Sequence, residues 1–324
     1  MNNKDLLSSF NKCIRKGQFY RLVRHMPVLN KKIAMKKYGD KPILNISDGR
    51  EILKNAVMDG KPYMAARFGT TEGAALVKYW KIKLKYGDNC SLFPQRELDM
   101  MCCNAGFFPN TKEDIWKWAE LETEACKDLD LLGTMQFLNE EWIAKTFCKN
   151  AQLMPNGGLA SASKGWAYIL EGKKVLVVHP FTDTIESQYY NNREKIFPGT
   201  NALPLFDLKS VKAVQTIADQ EDDRFGTWFD ALDYMTEEIA KHDFDVCLLG
   251  CGAYGFQLAS RVKRMDKIAI HMGGSLQTLF GIRGGRWDVK YSDLYNDYWV
   301  YPSEEETPKG FEKVEGGCYW KVDK

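Results

Sequence analysis

From Gly172 onward the chain alternates short aliphatic runs with helical patterns, an order that few folds accept. "KKVLVVHPF" holds four consecutive aliphatics, Val175 to Val178, bounded by Gly172 and Pro180, the mark of a strand buried on both faces. "IESQYYNNREKIF" reads as helix, and "ALPLF" as a short strand. "FGTWFDALDYMTEEIAKH" is an amphipathic helix, because Phe225, Trp228, Phe229, Leu232, Met235 and Ile239 recur on one face. The strand "FDVCLLG", the helix "YGFQLASRVKRM" and the strand "KIAIHMGG" follow. Strand, helix, strand, helix, strand predicts an α/β fold: a Rossmann-like, mostly parallel sheet with flanking helices.

The first half supplies the remaining pieces. "SDGREILKNAVMDG" (Ser47 to Gly60) reads as a helix with Ser47 as its N-cap. "KPYMAARFG" is a short strand ending at Gly69, and "TTEGAALVKYW" starts a helix with Thr70 or Thr71 near its cap. Residues 95–150 look helix-rich, with a turn at Pro109-Asn110 and a helix from Lys112; a polar segment, "MPNGGLASASKGW", follows. The tail from Tyr301 is rich in Glu, Gly and aromatics. The expected organisation is a basic, helical N-terminal arm over 1–45, one α/β domain over 46–300, and a C-terminal strap over 301–324 lying on that domain. A chain of 324 residues with 44% hydrophobic content can bury such a core.

Charge is unevenly spread. The formal net charge is +2, yet residues 1–41 carry eleven Lys or Arg against Asp5 and Asp40, a surplus of nine, which leaves the rest about seven negative. Leu6, Leu7, Phe10, Ile14, Phe19, Leu22 and Val23 interleave with these bases at helical spacing. Two readings follow: a solvated helix packed on the body, or an amphipathic arm in peripheral contact with anionic membrane. The acidic body, with no aromatic-basic face, argues against a nucleic-acid partner. No run of about 18 apolar residues occurs to span a membrane, and Met1 to Phe10 lacks the apolar core of a secretory signal. Nine cysteines without C-x-x-C spacing form no zinc pattern and read as reduced thiols of a cytoplasmic protein, at the inner face of the plasma membrane if the arm touches lipid.

The candidate site residues lie at strand ends. Gly250-Cys251-Gly252-Ala253-Tyr254-Gly255 fits G-x-G-x-x-G between a strand and a helix. A dinucleotide site also needs an acid about 20 positions on, for the ribose hydroxyls. Counting from Gly252 reaches His271-Met272-Gly273 instead, so no NAD is expected. The turn then reads either as purely structural or as a diphosphate contact, with backbone N–H groups and a helix N-terminus approaching the anion. His179 ends "VLVVH" and His271 ends "IAIH", each a structural histidine or part of a crevice at that sheet edge. Arg283 and Arg286 in "GIRGGRWD" suit anionic oxygens, or form an ordinary basic turn.

Arg67-Phe68-Gly69-Thr70-Thr71-Glu72 occupies one more strand-to-helix junction, where the Arg and Glu bind phosphate or a metal, or pair with each other. With "KKVLVVHPF" and "FDVCLLGCGAYGFQLASRVKRMDKIAIHMGG", the stretch "ARFGTTEGA" resembles the GT-D-fold glycosyltransferases, bacterial enzymes that extend surface glycans from sugar nucleotides. The match is to an Arg-Phe-Gly-Asp-x-Glu motif, and the resemblance spans residues 50–290.

The resemblance implies a hexosyltransferase-like enzyme. It would move a sugar from a nucleotide diphosphate, often UDP, to a surface-glycan or lipid-linked oligosaccharide acceptor. In that family an Asp-x-Glu pair engages the donor with Mn²⁺ or Mg²⁺. The second acid carries over as Glu72, a catalytic residue expected to bind the metal or a donor hydroxyl, while Thr70 stands at the first. Asp219-Gln220-Glu221 is another acid pair, but reads as a solvated loop. Growth of charge on the leaving diphosphate is the chief demand on such a site. The residues expected around the donor are Arg67, Gly69, Thr70, Thr71, Gly250, Gly252, Ala253, Tyr254, His271, Gly273, Gly274, Arg283 and Arg286. His179 or Asp183 is the expected base. The alternatives are a non-catalytic sugar-nucleotide or glycan-binding subunit, favoured by Thr70, and an NAD-dependent oxidoreductase, which lacks its acidic partner.

Overall fold

The structure is a computed structural model that describes residues 3–24, 37–136, 139–160 and 165–322. Helix α1 (Asn3–Arg24) is followed by a two-residue hairpin, β1 (Lys37–Tyr38) and β2 (Lys41–Pro42), and by α2 (Ile46–Asp59). Then come β3 (Tyr63–Ala66), α3 (Thr70–Tyr86), α4 (Gln95–Ala105), α5 (Lys112–Ala125), β4 (Leu131–Thr134), α6 (Glu140–Thr146) and β5 (Gln152–Pro155). The second half runs β6 (Lys174–His179), α7 (Thr182–Ile196), β7 (Asp207–Lys212), α8 (Trp228–Ala240), β8 (Val246–Leu249), α9 (Tyr254–Arg264) and β9 (Ile268–His271).

Strands β3 to β9 form one seven-stranded sheet in the order β5-β4-β3-β9-β8-β6-β7, with every pairing parallel. The fold is therefore α/β with a parallel sheet between helical layers, as the alternation predicts. Period-2 alternation along each strand divides the core in two. Leu176, Val178, Cys247, Leu249 and Ala269 face one side, packed against α3, α4, α5, α8 and α9. Val175, Val177, Val246, Leu248, Ile268 and Ile270 face the other, packed against α2 and α7. Strands β6, β8 and β9 are buried on both faces, which is why these runs read as continuous aliphatics rather than alternating ones.

Three expectations need correction. The cap of α2 is Asn45, whose side chain accepts from Asp48 N–H at 2.8 Å; Ser47 lies inside the helix. "ALPLF" is not a strand: β7 begins one residue later, at Asp207, and pairs with β6 from Lys174 to His179. Its sequence, "DLKSVK", is polar because it is an edge strand. The helix-rich stretch 95–150 also contains β4, four buried residues too short to show a period.

Described apolar residues of the N-terminal arm pack on the body. Phe10 is fully buried with its ring 4.8 Å edge-on to Trp142 of α6, and Leu6, Cys13 and Ile14 pack beside it. Lys16 pairs with Glu141 at 2.8 Å. The side chains of Phe19, Leu22 and Val23, and residues 25–36, lie outside the described residues. At the other end, 301–322 runs back over the sheet's C-terminal edge, anchored by Trp320, which is buried between Phe181 and Phe311. Among the described residues no helix is long and apolar enough to cross a membrane.

Candidate active site

A cavity of about 440 Å³ opens along the C-terminal ends of the strands. All seven strands feed it: Asn156 follows β5, Met135 β4, Arg67 β3, Met272 β9, Gly250 β8, Pro180 β6 and Val214 β7. Ligands of open parallel sheets bind at this edge, because strand ends splay into loops and helix N-termini there.

Arg67, Gly69, Thr70, Thr71 and Glu72 all line the cavity. The buried run Met64 to Ala66 ends at Arg67, so the chain leaves the sheet as its charge arrives. The guanidinium is braced by Nη1 donation to Phe68 C=O at 3.2 Å. Gly69 is the N-cap of α3, and an added Cβ would meet Glu72 Oε2 at 1.8 Å; the missing side chain is what lets the carboxylate fold back. The accessible surface of Glu72 faces this recess. Burial raises its carboxyl pKa, and the Arg67 charge pulls it down again.

The glycine turn can be audited donor by donor. Gly250 N–H bonds Val178 C=O at 3.0 Å, Ala253 N–H bonds Ala105 C=O at 3.0 Å, and Tyr254 N–H bonds Cys251 C=O at 3.2 Å. Among the described residues the N–H groups of Cys251 and Gly252 have no partner, and both residues line the cavity. Gly252 has φ +56°, and a Cβ there would lie 2.7 Å from Ala105 O, so two requirements for glycine coincide. The expected ligand contacts at Ala253 and Tyr254 shift accordingly. Ala253 does not line the cavity, and Tyr254 presents its ring, stacked 4.9 Å from Trp228, rather than its N–H.

His179 and His271 both line the cavity, as do Gly273 and Gly274. Phe181 N–H donates to His179 Nδ1 at 3.0 Å, so the neutral ring carries its proton on Nε2. His271 Nδ1 lies 3.2 Å from Leu249 C=O, which only accepts, so this ring is protonated on Nδ1 and Nε2 is a lone pair. Burial pushes both pKa values down to about 3, with Arg67 adding to the effect on His271.

Two expected residues lie elsewhere. Asp183 does not line the cavity; its carboxylate is exposed and bonded to Lys212 at 2.9 Å, because Thr182 and Thr184 rather than Asp183 take the inward positions of that turn. Arg283 is also absent from the lining. Its guanidinium is held between the rings of Tyr295 and Tyr301, 4.6 and 4.5 Å from their centroids, near Asp288. Arg286 does line the cavity, ion-paired with Glu315 and bonded to Tyr319 Oη at 3.0 Å.

Sequence reading missed the strap's share of the wall, Val314, Glu315, Tyr319 and Trp320. It also missed three side-chain amides, Asn104, Asn156 and Gln215, which line the cavity without a protein partner among the described residues. The strap's aromatics were a signal for packing, but isolated amides in loops carry none.

The donor set does not fit a divalent cation. Such ions take several hard oxygens, and the acids in the wall are Glu72, beside Arg67, and Glu315, already paired with Arg286. Glu122 is close enough to feel Glu72's charge, but it is fully enclosed, bonded to Gln257 at 2.6 Å, and burial raises its pKa to about 8. Asp219 and Glu221 do not line the cavity. No group of three or more His, Cys, Asp or Glu able to hold a metal occurs among the described residues.

No family model matches this sequence, and no curated protein matches it. Among solved structures the chain is similar to one described as "The highly conserved domain of unknown function 1792 has a distinct glycosyltransferase fold", at 12% identity over 85% of this chain and 92% of that one, with a TM-score of 0.47.

Proposed function

We propose that the chain is a glycosyltransferase that takes a sugar from a nucleotide diphosphate, UDP first among candidates, and passes it to a glycan or lipid-linked acceptor. The observation that carries this reading is the pairing of two kinds of wall in one cavity. Arg67, Arg286, the free N–H groups of Cys251 and Gly252, and the His179 Nε2–H are all donors suited to phosphate oxygens. Asn104, Asn156 and Gln215 are neutral amides that can donate to and accept from sugar hydroxyls.

The chemistry then needs no metal. Charge growing on the departing diphosphate is met by Arg67, the Cys251–Gly252 donors and the His179 Nε2–H, all fixed before the ligand arrives. Glu72 is the wall's one carboxylate without a salt-bridge partner among the described residues, and it takes the acceptor's proton. His179 serves as a donor in place of the base expected of it, since its Nε2 already holds a proton. Thr70 in place of an acid favours a second reading, binding without turnover.

Calorimetry with UDP tests the binding half, and release of nucleoside diphosphate from a panel of sugar nucleotides tests turnover. Binding with no turnover, in the presence of glycan acceptors, would select the second reading; no binding of any nucleoside diphosphate would end both.

A further inference from the structure

The strap brings carboxylates of its own to a helix N-terminus and an arginine, groups suited to anions. Glu306 accepts from Asp183 N–H at 2.9 Å, from Thr184 N–H at 3.3 Å and from the Thr184 hydroxyl, and so satisfies the N-terminus of α7. Nine residues further on, Glu315 lines the cavity and is ion-paired with Arg286. Tyr319 completes the clamp, accepting from Arg286 Nη1 at 3.0 Å with its ring 4.8 Å from the guanidinium.

The backbone that delivers Glu315 is held under strain. Glu315 has φ +50°, followed by Gly316 at +71° and Gly317 at +72°; the glycines take this conformation freely and the glutamate does not. Beside the strap, Trp287 Nε1 and Gln277 Oε1 are buried without a partner, on cavity-lining side chains 8% and 0% exposed. A strained residue and orphaned polar atoms around one segment mark an arrangement that another would relieve. Glu315 itself is 39% exposed, so its carboxylate has water to move into.

The donors along this wall are contiguous. A Cβ on Gly250 would lie 3.0 Å from Gly273 O, one on Gly273 2.2 Å from Arg67 Nη2, and one on Gly274 2.2 Å from Tyr319 Cε1. The glycine turn, Arg67 and the Tyr319–Arg286 clamp therefore follow one another along the glycines after β9. A ligand with one phosphate is served by the turn and Arg67. A second phosphate, linked to the first, falls to Arg286, where Glu315 already sits.

Resting on the reading above, we propose that Glu315 is a built-in competitor for Arg286, displaced by ligands with two linked phosphates and left in place by ligands with one. The second phosphate replaces the Glu315 carboxylate on Arg286, and residues 314–319 lose their hold on the cavity wall. A single phosphate leaves the pair intact.

The test is calorimetry of UDP, UMP and inorganic pyrophosphate with the wild type, Glu315→Gln, Arg286→Ala and the double variant, together with amide exchange over 314–319. Glu315→Gln is expected to tighten UDP and pyrophosphate by about fivefold and UMP by less than about twofold, as loss of a partly exposed competing charge predicts. In the Arg286→Ala background the same substitution should change nothing. UDP should speed exchange at 314–319 in the wild type, and UMP should not. Equal tightening of UDP and UMP, no tightening, or slower exchange with UDP would overturn the assignment while leaving the nucleotide reading standing. Pyrophosphate binding with the Glu315 signature, but no nucleotide binding, would remove the nucleotide reading and keep the assignment. If none of the three ligands binds any of the proteins, both fall together.

Discussion

His179 and His271 end β6 and β9 with opposite tautomers: Nδ1 of the first accepts from Phe181 N–H at 3.0 Å, and Nδ1 of the second donates to Leu249 C=O at 3.2 Å. One cavity wall thus gains a fixed donor and a fixed acceptor from the same residue type, and neither carries charge. Replacing His179 by Asn retains an N–H donor but not its position. It should weaken UDP binding by roughly tenfold, the worth of one hydrogen bond to a charged group. His179→Asn with unchanged UDP affinity in calorimetry would remove this ring from the site.

The same burial sets a pH profile for stability. His179 and His271 fall from 6.5 to about 3 on folding, so acid favours the unfolded chain, and their stabilisation is lost as pH drops from 6.5 towards 3. Burial raises Glu122 to about 8 and Glu140 to about 7, from 4.5, so their contribution is complete below 4.5 and lost as pH rises through 7 and 8. Each group changes stability by roughly 1.4 kcal/mol per pH unit inside its window. Between 4.5 and 6.5 these carboxylates, joined by Glu72, oppose the two histidines, so urea midpoints should pass through a maximum in that window and fall on either side. Glu122→Gln should flatten the alkaline limb; a limb unchanged by that substitution would show that Glu122 does not titrate as its burial requires.

Gly69→Ala separates site geometry from folding. The added Cβ meets Glu72 Oε2 at 1.8 Å, but this is the free end of a side chain that can swing away, and φ at Gly69 is an ordinary −68°. Thermal stability should change by less than about 1 kcal/mol, in line with substitutions that cause no trapped clash. Turnover should fall, as is expected of Glu72→Gln too. Full turnover in Gly69→Ala would mean that the folded-back position of Glu72 has no part in the reaction.

The sheet was legible wherever strands are buried on both faces, as at Val175–Val178, Val246–Leu249 and Ile268–His271, since solid aliphatic runs have few other uses. It was illegible at β7, a polar edge, and at β4, only four residues long. Of the cavity wall, Arg67, Gly250, His179 and His271 could be found because each stands where a strand ends, and Glu72 because it follows Arg67 across a glycine turn. Arg283 could not be told from Arg286, three residues away. One packs between two tyrosines and the other faces the cavity, a difference set by loop geometry rather than by residue type. Glu315 came from a tail whose composition signals only packing.

The arm's apolar residues give an opposite pair of expectations for stability and membrane contact. Phe10 is fully buried against Trp142, so Phe10→Ala should cost about 3 kcal/mol or more in urea denaturation, as for other buried aromatics. With Leu6, Cys13 and Ile14 also packed on the body, the 3–16 stretch has little apolar surface left for lipid. Sedimentation with anionic vesicles should therefore change little in that variant. Vesicle binding abolished by Phe10→Ala, with stability intact, would return Phe10 to the membrane.

Arg67 and the metal question can be answered in one titration. Its guanidinium sits against Gly273, within reach of Glu72's charge. Arg67→Ala should weaken UDP binding by roughly 10- to 100-fold, the range for a charge-assisted hydrogen bond. Arg67→Lys should recover only part of the loss, because an ammonium lacks the planar fork. The wild-type affinity should be the same in EDTA as in Mg²⁺ or Mn²⁺, since Glu72 alone offers too few oxygens and Arg67 repels a second cation. Affinity that collapses in EDTA and returns with Mn²⁺ would show that the ligand's own phosphates complete a metal site with Glu72, and that Arg67 supports that ion rather than replacing it.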